Sequence, residues 1–273
     1  MRSFDRELIA AYKAGHVGLR YLEQPPGAGL WYAWTEGERM AANDPDYTPV
    51  ARRRRPMCTR YISAEAGDIE RHWHVGANSP VQWAHDVFPG YEAPFIRSVD
   101  GERQLVVGQW SLIPWFAKER KLKYPTSNAR SEELAQKASY KHPWARGQRC
   151  IIPAESFFEP CWETGKHIPW RFRRTDGTPW GLAGLWNAWT DPETGEIVQS
   201  YTMLTINADL LPLMSRMHRP DPKRPLNMQD KRSVVPIAPA DVDKWLTAPL
   251  ESAAALMRLA ETEDFDGAPA AAG

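Results

Sequence analysis

The sequence predicts an α+β domain built on a curved, mainly antiparallel β-sheet with a barrel-like core and short flanking helices. Three observations lead there. From Cys58 onward the apolar runs are short, Pro and Gly punctuate them, and they succeed one another without the regular strand–helix alternation that a doubly wound parallel sheet requires.

Taken in order, residues 1–56 hold no sustained apolar period and end in Arg52-Arg53-Arg54-Arg55-Pro56, so they read as an extension separable from the remainder of the chain. Met57 directly precedes the first motif, and three explanations stand: translation starts at Met57, a propeptide is removed, or a basic tail is retained. The main domain is expected over 57–261. Its strands are expected over Arg103 to Trp110, Arg149 to Ala154, Ile168 to Arg174, Trp180 to Trp186, Tyr201 to Asn207 and Ser233 to Ile237. Helical patterns cover Ala64 to Trp73, Asn128 to Gln136 and Ala240 to about Ala260, the last opening on Asp241 and Asp243. Residues 262–273, acidic and then rich in Gly, Ala and Pro, are expected to be a disordered tail.

Composition narrows the function classes. The 34 basic and 34 acidic residues leave a formal net charge of zero, so any affinity for nucleic acid has to come from a local patch. Three cysteines, Cys58, Cys150 and Cys161, are too few for a disulfide framework, and no Cys-x-x-Cys pair suggests structural zinc. No apolar stretch approaches the roughly 18 residues of a membrane span, and the chain does not open on a secretory signal pattern. These features predict a cytoplasmic, nucleoid-associated protein that needs no metal and no cofactor. Thirteen Trp supply broad flat surfaces, most of them expected in the core.

Polar groups set against apolar surroundings mark four segments: Met57-Cys58-Thr59-Arg60-Tyr61, Thr126 to Glu132 (TSNARSE), Arg149 to Glu159 (RCIIPAESFFE) and Met214 to Pro220 (MSRMHRP). Together with Trp110-Ser111-Leu112-Ile113-Pro114-Trp115 and Ala183-Gly184-Leu185-Trp186, and in this order, they resemble the SOS-response-associated peptidase (SRAP) family over about residues 57 to 247. The resemblance implies a protein, monomeric and meeting replication-fork proteins, that acts on abasic sites in single-stranded DNA. It implies removal of an initiator methionine to expose Cys58, catalysis by Cys58, Asn128, Glu159 and His218, and DNA contact through Arg60, Arg130 and Arg149, with Trp110 supporting or stacking on bases. Thr59, where the family usually has Gly, and Pro160, where it has Trp, depart from the pattern.

The chemistry can be built from residue types. A terminal cysteine carries an α-amine with a reference pKa of about 7.7–8.0 and a thiol of about 8.5 on adjacent carbons. The amine attacks the aldehyde of an opened abasic sugar to give a Schiff base, and the thiol then closes a five-membered thiazolidine, a step that lysine has no atom to perform. His218 suits proton transfer in both directions, Glu159 after its apolar run suits a raised pKa beside the amine, and Asn128 orients without charge. Two rival readings remain at this point: a cysteine hydrolase with Cys58 internal, and a non-catalytic single-stranded DNA-binding module.

Overall fold

The computed structural model describes residues 17–22, 30–35, 58–76 and 82–270, the first two stretches by their backbone alone. The basic run 52–55, Met57 and the last residues, 271–273, lie outside the described residues. Contacts divide the chain into residues 1–55 and 56–273. In the first unit β1 (Val17–Leu22) and β2 (Leu30–Thr35) pair as an antiparallel ribbon, with Leu22 opposite Leu30.

The second unit is a strand-rich α+β domain. In chain order it comprises β3 (Tyr61–Ser63), α1 (Ala66–Trp73), β4 (Asp86–Val87), β5 (Glu92–Val99), β6 (Glu102–Trp110), β7 (Asn128–Arg130), α2 (Ala138–Ala145), β8 (Arg149–Cys161), β9 (Ile168–Arg174), β10 (Trp180–Thr190), β11 (Ile197–Asn207), α3 (Pro212–Ser215), β12 (Arg232–Val234), α4 (Val242–Thr247), α5 (Leu250–Ala254) and β13 (Phe265–Pro269). Five strands close on themselves: β10 pairs β11, β11 pairs β6, β6 pairs β5, β5 meets β8 at Ile96 and Ile151, and β8 returns to β10. The end of β11 beyond β6 is left as an edge, which β7 and β12 take up. Pairing is antiparallel except where β11 runs parallel to β6 and β7.

Alternation along β8 explains the two cores. Cys150, Ile152 and Ala154 point into one cluster with Phe95, Trp110, Trp180 and Tyr201, while Ile151 between them faces a second cluster with Leu112, Leu204 and Trp245. Trp110, Trp180 and Trp245 are fully buried, and the indole N–H groups of Trp110 and Trp245 donate to the carbonyls of Ser127 and Cys150. Inside the first cluster, the hydroxyls of Tyr61 and Tyr201 meet at 2.5 Å. Three strands converge at Gly184, where a β-carbon would lie 2.7 Å from Cys150 Sγ and 2.8 Å from the Thr202 carbonyl.

Three expectations need correction. Asn128 to Gln136 is not a helix: Asn128–Arg130 is strand β7 on the edge of β11, Ser131–Glu133 is one 3-10 turn, and the helix comes later, as α2. Pairing with β11 overrides the local pattern, and Pro143 within α2 hides that helix from a sequence reading. The helix expected from Ala240 to about Ala260 is broken, because Ala248 is extended (φ −66°, ψ 160°) before Pro249, as the proline ring requires. Residues 262–269 are not a disordered tail: Glu261 and Asp264 cap a 3-10 turn reciprocally, and β13 then pairs with β9. Phe265 anchors that strand by burying its ring against Phe157, Phe172 and Trp180. Among the described residues no helix is long and apolar enough to cross a membrane.

Gly184→Ala is expected to lower unfolding stability by ~1–3 kcal/mol, the usual cost of overpacking a closed core. Denaturant unfolding of the two proteins measures it.

Candidate functional site

The site forms where the far end of β8 leaves the barrel. β8 pairs with β10 through its first half and with β9 through Phe157 to Cys161, so Glu159 is held in register opposite Trp170. Strand β3 lies on the same segment, with Tyr61 opposite Phe157, and Phe158 N–H donates to the Arg60 carbonyl at 3.1 Å. This pairing brings Cys58, just upstream of β3, against Glu159: the Cys58 backbone N donates to Glu159 Oε1 at 3.3 Å.

Two further segments complete the group. Asn128 opens β7, and its side-chain amide donates to the Cys58 carbonyl at 2.8 Å. His218 comes just after α3, where Met217 bridges Cys161 and His218 N–H donates to the Pro160 carbonyl at 2.7 Å. Its Nε2 then lies 3.2 Å from Glu159 Oε2. Pro160 therefore fits despite its departure from the pattern, since the histidine turn uses its carbonyl and needs no N–H from it.

His218 adopts φ +57°, a left-handed conformation uncommon for a residue with a side chain. A lysine holds it. The buried ammonium of Lys231 donates to the Met217 carbonyl and, at 2.7 Å, to that of His218. Sequence reading missed Lys231, because nothing in its local pattern distinguishes it from the solvated charges around it.

Burial governs the electrostatics. Glu159 is 2% exposed, and desolvation pushes its carboxyl up to about 8, with the Cys58 N–H pulling the other way. The Cys58 thiol, fully buried, donates to the Arg60 carbonyl and is pushed well above its ordinary value by burial and then by the Glu159 carboxylate. It is held as a thiol. Among the described residues no group of three or more His, Cys, Asp and Glu side chains is arranged to hold a metal ion.

All four expected catalytic positions thus converge, whereas the expected DNA contacts divide. Arg149 is buried, with its guanidinium fixed on the carbonyls of Trp245 and Ala248 in the second core, so it has no face toward DNA. Trp110 is fully buried edge-on to Tyr61 and cannot stack on a base, leaving only support from beneath. In both cases the side chain serves the core, which sequence spacing does not reveal. Arg60 and Arg130 are half-buried and paired, the first to Asp86 at 2.8 Å and stacked 4.2 Å over Phe158, the second to Asp230 at 2.8 Å.

Unpaired positive charge lies instead in a cleft of about 570 Å³ lined by Ser111, Arg120, Lys121, Lys123, Tyr124 and Thr126 among others. Lys121 and Lys123 have no ion pair among the described residues, and Tyr124 is half exposed. Thr126 stands two residues before Asn128, so one segment runs from the cleft to the Cys58 carbonyl.

Comparison with known proteins finds a family and several relatives. The family model for SOS response associated peptidases (SRAP) matches residues 57–270. The abasic site processing protein HMCES of Xenopus tropicalis is 28% identical over 182 residues, covering 56% of this chain and 54% of that one. The abasic site processing protein YoqW of Bacillus subtilis (strain 168) is 31% identical over 169 residues, covering 59% of this chain and 73% of its own length. The chain thus matches about half of the first relative and nearly three quarters of the second. A Bordetella bronchiseptica protein of known crystal structure superposes with a TM-score of 0.69 at 34% identity, over 78% of this chain and 99% of that one.

The raised Glu159 pKa has a defined consequence for stability. Between the unfolded value near 4.5 and the folded value of about 8 the folded chain holds a proton that the unfolded chain releases, so stability declines as pH rises through that window. Thermal unfolding from pH 5 to 9 of the chain with Cys58 still internal is expected to show this decline, and Glu159→Gln in the same chain a flatter profile, with the two proteins diverging most above pH 8.

Proposed function

The chain belongs to the SOS response associated peptidase (SRAP) family, and on that premise we propose that it captures abasic sites in single-stranded DNA covalently through Cys58, once Cys58 has become an amino terminus. One observation carries the proposal: Cys58 N sits 3.3 Å from a buried carboxyl whose other oxygen faces His218.

With Cys58 internal, its nitrogen is an amide and Glu159 is neutral over much of the physiological range. Hydrolysis of the preceding peptide bond puts an ammonium in its place, and that charge favours the ionised carboxylate. Glu159 then accepts a proton from the ammonium and frees the amine. The amine adds to the aldehyde carbon of the ring-opened sugar; His218 supplies the proton with which the carbinolamine loses water, giving the imine. The Cys58 sulfur adds to the imine carbon while its proton passes to nitrogen, so the thiazolidine forms with net loss of one water and no redox change. Asn128, fixed on the Cys58 carbonyl, sets the direction of the amine.

Phosphates flanking the lesion would be met by Lys121 and Lys123 in the cleft beside Thr126, with Tyr124 available for stacking. Self-processing by the same groups would expose Cys58. A free amino terminus at Cys58 would count against the hydrolase alternative, in which Cys58 stays internal.

Intact mass under denaturing conditions, before and after incubation with an abasic single-stranded oligonucleotide, tests the reading. The expected result is a chain beginning at Cys58 that gains the oligonucleotide less one water. Cys58→Ala is expected to gain nothing, and His218→Ala to react roughly 10²–10⁴-fold more slowly, the usual contribution of a positioned acid–base group. A wild-type chain that begins at Cys58 and gains no mass overturns the proposal.

A further inference from the structure

The segment after His218 forms a loop whose construction serves no purpose evident within the domain. Both of its ends are fixed beside His218. Lys231 donates to the Met217 and His218 carbonyls, and the Asp209 carboxylate accepts the N–H groups of Asp230 at 3.0 Å and Lys231 at 2.8 Å. Between these ends Gln229 acts as an internal staple: its Oε1 accepts the Asp221 N–H at 2.6 Å, and its Nε2 donates to the Arg224 and Pro225 carbonyls at 2.9 Å. Arg224 adds ion pairs to Asp221 and Asp230.

Ordering backbone in this way costs ~1–2 kcal/mol per residue in conformational entropy, normally offset by burying apolar side chains. Here the apolar side chains stay outside: Leu226 is 92% exposed and Met228 57% exposed. A single exposed leucine is unremarkable on a protein surface. A leucine at the tip of a stapled loop, five residues from the clamp on His218 and so within roughly 18 Å of it, is a preorganised projection. Lys223, three residues earlier in the same loop, is exposed, with no ion pair among the described residues, so the loop combines an apolar point with a free cation.

We propose that Leu226 is a wedge that fills the gap left by the missing base, packing against a base next to the abasic nucleotide while Lys223 meets the adjoining phosphate. This rests on the abasic-site reading above and adds how the lesion is distinguished from intact strand. An abasic strand presents neighbouring bases with one unstacked face, which an apolar side chain covers at no cost in lost stacking. In an intact strand the same insertion must first separate stacked bases and so forfeits their stacking.

The test uses the full chain and a single-stranded oligonucleotide containing a tetrahydrofuran abasic analogue, which has no aldehyde and so reports binding without crosslinking. Wild type is expected to bind it more tightly than the intact strand, Leu226→Ser to lose most of that preference, by roughly tenfold or ~1.4 kcal/mol, and Leu226→Phe to keep it. Gln229→Ala, which frees the loop while retaining Leu226, is expected to reduce the preference as well. The aldehyde 2-deoxyribose 5-phosphate, which has no neighbouring bases, is expected to react with wild type and Leu226→Ser at equal rates. Undiminished preference in Leu226→Ser overturns the wedge even if covalent capture proceeds normally. A preference that depends on Leu226 upholds it even if no adduct forms, in which case the covalent reading alone fails.

Discussion

Glu159 carries the arrangement on which the site depends. Its carboxyl lies beneath the surface at the end of a strand paired on both sides, with one oxygen toward the Cys58 nitrogen and the other toward His218. An ionised carboxylate in such a place is costly unless charge or hydrogen bonds compensate it, so burial raises its proton affinity until a cation arrives. Processing at Cys58 would provide that cation at the same atom that now donates an amide N–H. The site is thus poised by what is covalently attached to Cys58, and Glu159 converts that difference into a change of protonation.

Precision at this point comes from the strands. β8 is long enough to close the barrel with one half and to pair with β3 and β9 through the other, β9 in turn carrying β13. A one-residue slip of β8 against β9 would turn Glu159 to the opposite face; the stacked rings of Phe157 and Phe172 and the edge contacts of Phe265 oppose such a slip. The histidine, by contrast, is placed by a short turn and depends on the Lys231 ammonium and the Pro160 carbonyl to hold an unfavourable φ. Strain retained beside reactive groups is what a preorganised site is expected to show.

Charge is distributed by role rather than by amount. The net charge is zero, yet arginines of the site motifs and of β12 are engaged with carboxylates, aromatic rings or carbonyls: Arg60 with Asp86 and Phe158, Arg130 with Asp230, Arg149 with two carbonyls, and the buried Arg232 with Glu132 and Asp230. Planar guanidinium groups suit such fixed pairing. Lys121, Lys123 and Lys223 form no ion pair among the described residues, and free charge is what a phosphate backbone attracts.

The sequence by itself determined the α+β class, strand β6 and the succession of strands from β8 to β11, and the four residues that meet at the site, because apolar patterning and a fixed order of short motifs are properties of the chain alone. The class did not require knowing which strands pair. Tertiary structure decided the rest. Asn128 sits in a strand rather than a helix because β11 offers an edge, and Phe265 orders an acidic segment because a ring-lined pocket awaits it. Trp110 and Arg149 belong to the core although their motifs suggested DNA, while Lys231 and Gln229, inconspicuous in the sequence, hold the histidine turn and the loop after it. The physical reason is common to all of these. Burial and hydrogen-bond partners depend on residues distant in the chain, and a side chain's type states what it can do without stating what surrounds it.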